Sequence, residues 1–99
     1  MVNHIVLWNF KKELSDAEKK DAALRMKKEL EAVKDQVPGT ISLRVVTQAL
    51  PSGNKDIGLI SVFETEEALQ TYQKHPAHMA AAAYVGSVTE GRVCLDYCE

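Results

Sequence analysis

The sequence has no long apolar segment that could cross a membrane. Its longest uninterrupted apolar run, residues 79–85, is far shorter than the roughly 20 residues that a membrane-spanning helix requires. The first residues enter a strand pattern directly, without the basic region, apolar region and cleavage site of a secretory signal. We therefore expect a cytoplasmic protein that neither spans a membrane nor is exported.

The chain also lacks an excess of charge of either sign. It carries 12 basic and 14 acidic side chains and a formal net charge of −2, and the two signs are interleaved along the sequence. No basic face is present to attract a phosphate backbone, so nucleic acid is not an expected partner. A length of 99 residues is suited to a single domain over residues 1–99, with one hydrophobic core.

Cysteine is scarce, and its spacing excludes the usual cysteine chemistry. Cys94 and Cys98 are four residues apart on a predicted strand, which separates their Cα atoms by about 13 Å, beyond disulfide reach. The Cys-x-x-Cys spacing of redox and zinc sites is absent. Two reduced thiols are consistent with a cytoplasmic protein, and we predict that they act as small apolar residues.

Apolar periodicity and turn residues predict four strands and three helices. Residues 2–10 alternate as a strand does, with His4, Val6, Trp8 and Phe10 on one face. Ser15 and Glu18 form a capping-box pattern that opens the first helix, and Pro38 and Gly39 end it. The helix's apolar stripe is Ala23, Met26, Leu30, Val33 and Val37. The remaining predicted elements are strands at residues 40–48, 57–64 and 88–97 and helices at residues 65–74 and 76–85.

If the short helical piece at residues 76–85 is counted with the helix before it, the order strand, helix, strand, strand, helix, strand is that of a ferredoxin-like split βαβ domain. We therefore predict an α+β fold with a four-stranded antiparallel sheet. Helices cover one face of such a sheet, yet apolar residues occur on both faces of the predicted strands. A second copy of the chain is the simplest cover for the other face, so we predict a homodimer that associates through its sheets.

The three histidines carry the best indication of chemistry. Two of them, His75 and His78, flank Pro76. Proline ends one helix and is accepted in the first turn of the next, so both histidines lie at a helix break, where side chains can turn toward a cavity. The third, His4, lies in the first strand, and histidine titrates near neutral pH.

Three motifs follow one another in a characteristic order over essentially the whole chain. They are an opening His-Ile-Val-Leu strand at residues 4–7, a His-Pro-x-His segment at residues 75–78 and a closing Arg-x-x-x-Asp-Tyr strand at residues 92–97. The ordered set resembles the stress-responsive alpha/beta-barrel (Dabb) family. This resemblance implies a small ferredoxin-like domain that forms a dimeric α/β barrel. It names no reaction, since most members have no established activity.

The resemblance also implies roles for particular residues. In a plant polyketide cyclase of this family, a histidine and a tyrosine act as acid/base and orienting partner in an intramolecular aldol closure. The Tyr-x-x-His-Pro-Ala-His pattern places these catalytic roles on His78 and Tyr72, and His4 matches the histidine of the first strand. A further pocket histidine of the cyclase falls at Ile57, so the polar lining of the cyclase pocket is incomplete here.

Each candidate residue also has a structural interpretation. A neutral imidazole at His78 can take a proton from carbon beside a carbonyl while the Tyr72 phenol stabilises the oxyanion. Alternatively, His78 donates to a backbone carbonyl across the break and Tyr72 ties a helix end to the sheet. His75 is either an N-cap or a ligand-binding residue. Trp8 is either core or part of the wall of an apolar pocket.

A metal or cofactor is not expected. His75 and His78 are three apart, but Pro76 disrupts the helical geometry that would pair them, and no cysteine or carboxylate pair nearby completes a four-ligand set. Arg92 and Asp96 point the same way on the last strand, and we predict that they pair with a neighbour.

Two classes of function remain open at this point. The first is a non-catalytic dimeric module of the stress-responsive type that binds a small apolar ligand in a pocket lined by His4, Tyr72 and His78, with Trp8 and His75 as further contacts. The second is a cofactor-free acid/base enzyme of the polyketide-cyclase (lyase) or monooxygenase-like type.

Overall fold

Strands and helices follow one another in the predicted order in a computed structural model that describes all 99 residues. A short 3-10 turn, Lys34–Gln36, follows the first helix. None of the helices is long and apolar enough to cross a membrane. The elements are β1 (Val2–Phe10), α1 (Asp16–Val33), β2 (Thr40–Val46), β3 (Ile57–Phe63), α2 (Glu66–Lys74), α3 (Pro76–Val88) and β4 (Thr89–Cys98).

The four strands form one antiparallel sheet in the order β2-β3-β1-β4. α1 connects β1 to β2, and α2 with α3 connects β3 to β4, so two βα units interleave. The core lies between the helices and the sheet face that carries Val6, Leu59 and Phe63. This is the ferredoxin-like α+β fold that the sequence predicts.

The predicted start of α1 is confirmed, while its buried stripe differs by one residue. The Glu18 N–H donates to Ser15 Oγ at 3.1 Å, and the Ser15 N–H donates to Glu18 Oε1 at 2.8 Å, which completes a capping box. Ala22 is buried against the sheet, whereas Ala23 is only half-buried. Both alanines satisfy helical spacing with Met26, so only the packing of the helix decides between them.

Two further predictions need correction. Ile41 alternates with Leu43 and Val45 in sequence, but the β2–β3 register shifts between Thr40 and Ser42, and this irregularity leaves Ile41 39% exposed. α3 continues to Val88 instead of ending at residue 85. The helix ends there because the Thr89 N–H and the Thr89 hydroxyl both donate to the Val85 carbonyl; the hydroxyl oxygen lies 2.7 Å from it.

The outer face of the sheet is apolar and is not covered by any helix of the chain. On this face Leu95 of β4 lies opposite Ile5 of β1, and Ile5 lies opposite Ile60 of β3. Leu95 is 61% exposed and its neighbour Val93 is 47% exposed. We name the residues Ile5, Leu7, Ile60, Val62, Val93, Leu95 and Tyr97 the outer sheet face. An exposed apolar surface of this kind is typical of an interaction site.

Candidate functional site

A cavity of about 300 Å³ opens between the helices and the inner face of the sheet. Four of the predicted site residues, His4, Trp8, Tyr72 and His78, contribute to its lining. Much of the remaining wall is apolar and comes from Val6, Leu30, Leu59, Ala82 and Val85. An apolar cavity with a few convergent polar groups is the usual form of a small-molecule site.

A larger depression of about 560 Å³ lies between α1 and the loop before β3. It is lined by Lys19, Lys20 and Lys55 together with loop residues, and it contains no histidine or tyrosine. We therefore place the candidate site in the smaller cavity, where the acid/base groups converge.

The tyrosine and histidine rings of the cavity form one aromatic cluster. The ring centres of Tyr72 and His78 are 4.4 Å apart, and those of Tyr72 and His4 are 6.2 Å apart. Phe63 packs against Tyr72 with ring centres 5.0 Å apart. Tyr72 ends up in contact with both histidines because it lies in the last turn of α2, directly before the break at His75.

The Tyr72 hydroxyl is buried and makes no hydrogen bond within the protein. Most buried polar groups have a partner, and a missing partner raises the free energy of the folded state. Burial raises the pKa of Tyr72 to about 12, because the ionised phenolate is poorly solvated there. At neutral pH the hydroxyl is therefore a protonated donor without an acceptor.

His78 is held in one tautomer by a backbone contact. Its Nδ1 lies 3.1 Å from the Gln73 carbonyl oxygen. Since a carbonyl oxygen only accepts, Nδ1 carries the proton, and Nε2 is left as a free acceptor. Burial lowers the pKa of His78; the Gln73 hydrogen bond opposes this shift, and charge at His4 and Arg92 adds to it. The imidazole is therefore neutral near pH 7 and able to accept a proton.

This lowered pKa of His78 predicts a pH dependence of stability. Because the folded state holds the proton less tightly than the unfolded chain does, the free energy of unfolding should fall as the pH drops below about 6.5. Urea unfolding of the wild type and of His78→Gln, at several pH values between about 7.5 and 5, measures this loss. The decline should be steeper in the wild type. Parallel curves for the two proteins would contradict the assignment, since all other groups are common to both.

His75 caps a helix and Trp8 lies in the core, which are roles predicted for them from the sequence. The His75 ring Nδ1 accepts from the Ala77 N–H at 3.1 Å, so the N-cap prediction is confirmed. His75 is not among the residues that line the cavity. Trp8 is 6% exposed and belongs to the core, and it also forms part of the cavity wall.

Two residues beside His4 were not predicted as part of a site. Asp96 Oδ1 is hydrogen-bonded to His4 Nδ1, and Cys94 Sγ lies 3.7 Å from the same nitrogen. The neighbour with which Asp96 was predicted to pair is therefore His4. The sequence offers one signal for this cluster, the two-residue spacing that places Cys94 and Asp96 on one face of β4.

The antiparallel sheet, the helices on one of its faces and the cavity between them define a ferredoxin-like domain of the α/β-barrel class. The chain belongs to the stress responsive A/B barrel domain family, Dabb, whose sequence model matches residues 2–99. The resemblance seen in the three sequence motifs is thereby confirmed. None of the curated proteins matches the chain.

Solved structures with this fold include proteins without known function and enzymes. A dimeric ferredoxin-like protein of unknown function from Bacteroides fragilis is 28% identical, with a TM-score of 0.90 over 97% of this chain and 93% of that one. A hydroxynitrile lyase from Passiflora edulis is 19% identical, with a TM-score of 0.73 over 97% and 90%. A cofactor-independent oxygenase from Streptomyces nogalater is 12% identical, with a TM-score of 0.71 over 99% and 91%. At these identities, the similarity of this chain to the two enzymes shows a common fold and nothing more.

Proposed function

We propose that the protein is a homodimer and that each protomer binds a small apolar ligand in the His4–Tyr72–His78 cavity. The observation that carries this proposal is the buried Tyr72 hydroxyl without a partner. Tyr72 lines the cavity but its hydroxyl has almost no exposed surface in the free protein, so a small rotation of the side chain would let a carbonyl or hydroxyl oxygen of the ligand accept from it and remove the cost of leaving it unpaired. The volume of about 300 Å³ suits a ligand of one or two rings.

The homodimer is supported by the outer sheet face and by the related structures. Leu95 and Val93 of β4 are exposed on this face, and the β1 residues opposite them, Ile5 and Leu7, are also apolar. The Bacteroides fragilis protein of the same fold is described as dimeric. A two-fold axis would place the outer sheet faces of two copies against each other, as in the barrel that gives the family its name.

A cavity-filling substitution tests the ligand-binding proposal. The probe is prodan, a neutral naphthalene ketone whose emission shifts to the blue in apolar surroundings. The wild type should bind it saturably, and Ala82→Phe should abolish binding because Ala82 lines the cavity. Ala80→Phe is the matched control, since Ala80 lies two residues earlier on α3 and is exposed. Equal binding by Ala82→Phe and the wild type would contradict the proposal.

A second candidate function is cofactor-free acid/base catalysis at the same cavity. It is favoured by the tautomer of His78, whose free Nε2 can accept a proton from carbon beside a ligand carbonyl. Tyr72 would then donate to the enolate oxygen, where negative charge develops. The lyase and the oxygenase of the same fold support this candidate as examples of what the architecture accommodates.

A further inference from the structure

Three side chains with different donor atoms converge at the edge of the sheet. His4 Nδ1, Cys94 Sγ and a carboxylate oxygen of Asp96 all lie within 4.8 Å of one another. The Sγ atom is 3.7 Å from His4 Nδ1 and 3.5 Å from Asp96 Oδ1, and Asp96 is hydrogen-bonded to His4. Imidazole nitrogen, thiolate sulfur and carboxylate oxygen are the donor types that bind zinc in proteins.

The strand register produces this convergence. In the β1–β4 ladder His4 is paired with Asp96, and Val6 is paired with Cys94. Residues two apart on a strand point to the same face, so Asp96 lies opposite His4 and Cys94 lies diagonally from it, all on the helix side of the sheet. All three donors are thus carried by regular strands and not by loops, which fixes their separation.

The donor distances are those of ligands around one tetrahedral zinc ion. Zinc binds sulfur at about 2.3 Å and imidazole nitrogen or carboxylate oxygen at about 2.0–2.1 Å, which separates tetrahedral S and N or S and O ligands by about 3.5 Å. Both distances from Cys94 Sγ agree with this value. The His4–Asp96 pair is closer than two zinc ligands are, because a proton joins it. Replacing that proton by an ion requires the Asp96 carboxylate to move away from His4 Nδ1.

The exposure of the Asp96 and Cys94 side chains and the charge of the three ligands allow an ion to replace this proton. His4 is buried and held from β1, whereas the Asp96 side chain is 41% exposed and Cys94 is exposed, so an ion can enter and the carboxylate can adjust. A bound thiolate and carboxylate supply two negative charges, which match those of a divalent cation. Arg92, two residues before Cys94 on the same strand face, contributes one opposing positive charge nearby.

We propose that His4, Cys94 and Asp96 form a three-ligand site for a zinc ion, with the fourth position open to water or another small ligand. Three protein ligands and an open position are the pattern of exchangeable and catalytic zinc sites, as opposed to closed structural ones. The site shares His4 with the ligand cavity, but it rests on a different set of contacts. Its absence would leave the ligand-binding proposal intact.

Cobalt(II) titration of the 99-residue protein tests this site, because cobalt replaces zinc and reports thiolate ligation by a charge-transfer band in the near ultraviolet. The wild type should show that band together with the visible bands of tetrahedral cobalt, and zinc should displace both. Cys94→Ser should lose the charge-transfer band. Loss of a residue that hydrogen-bonds a metal ligand lowers metal affinity by about 10–100-fold. Asp96→Asn changes a ligand itself, so it should weaken zinc binding by at least about 100-fold.

Cys98→Ser is the matched control, since Cys98 lies on the same strand and is also exposed but does not belong to the cluster. It should bind cobalt as the wild type does. Circular dichroism verifies that each variant is folded. The proposal is overturned if the wild type gives no charge-transfer band, or if Cys98→Ser removes the band while Cys94→Ser keeps it.

Discussion

Replacing Leu95 by glutamate should convert the proposed homodimer into a monomer without unfolding it. Leu95 lies on the edge strand β4, opposite Ile5 in the outer sheet face, and is 61% exposed, so a charge there is tolerated in the isolated protomer. In a two-fold interface each substitution occurs twice, and every buried charge without a partner costs about 3–5 kcal/mol. The dimer dissociation constant should therefore rise by at least about 1,000-fold.

Sedimentation velocity at micromolar protein concentration measures this change. Leu24→Glu is the matched control, because Leu24 is 59% exposed on α1, on the opposite side of the chain from the outer sheet face. It should remain dimeric. A Leu95→Glu protein that sediments as a dimer, or a wild type that sediments as a monomer, would show that this face is not the interface.

Removal of the His78 imidazole should abolish proton transfer if the cavity is catalytic. The assay is exchange of the benzylic protons of phenylacetone in deuterium oxide, followed by NMR. General-base catalysis contributes about 100–10,000-fold, so His78→Ala should lose at least about 100-fold of any exchange that the wild type accelerates. The fold should be retained, because His78 is half-buried and makes one side-chain hydrogen bond to the backbone.

His75→Ala separates catalysis from the structural role of the helix break. The His75 ring caps α3 and does not line the cavity, so its loss should lower the free energy of unfolding by about 1 kcal/mol and leave exchange unchanged. If His78→Ala instead behaves as His75→Ala does, with lower stability and full exchange, His78 is a structural residue and the acid/base function is wrong.

Local signals in the sequence predict most of this fold, because they depend on neighbours along the chain. The capping box of Ser15 and the N-cap at His75 involve residues within three positions of one another, and the alternation of β1 is contained in one nine-residue strand. The strand order follows from the order of elements and from the hairpin, with a rather long loop, that joins β2 to β3. The family resemblance adds the dimeric barrel.

The remaining features depend on register and packing, which local patterns do not determine. Ile41 is displaced by an irregularity in the β2–β3 ladder, and no residue in its neighbourhood signals that shift. Cys94 and Asp96 meet His4 because β4 lies beside β1 in one particular register, across about 90 residues of sequence. The unpaired Tyr72 hydroxyl is likewise a property of the assembled cavity alone.

The most direct test of the central claim, that this cavity is the functional site, is to remove the Tyr72 hydroxyl. If the hydroxyl exists to meet a ligand, Tyr72→Phe should be as stable as the wild type or more stable, by up to about 1–3 kcal/mol, because an unpaired buried donor disappears. The same variant should bind prodan about tenfold more weakly, since the hydrogen bond to the ketone is lost. Urea unfolding and fluorescence titration of the two proteins give both quantities. A Tyr72→Phe protein that is less stable than the wild type but binds prodan with unchanged affinity would contradict the account and show that the hydroxyl serves the fold.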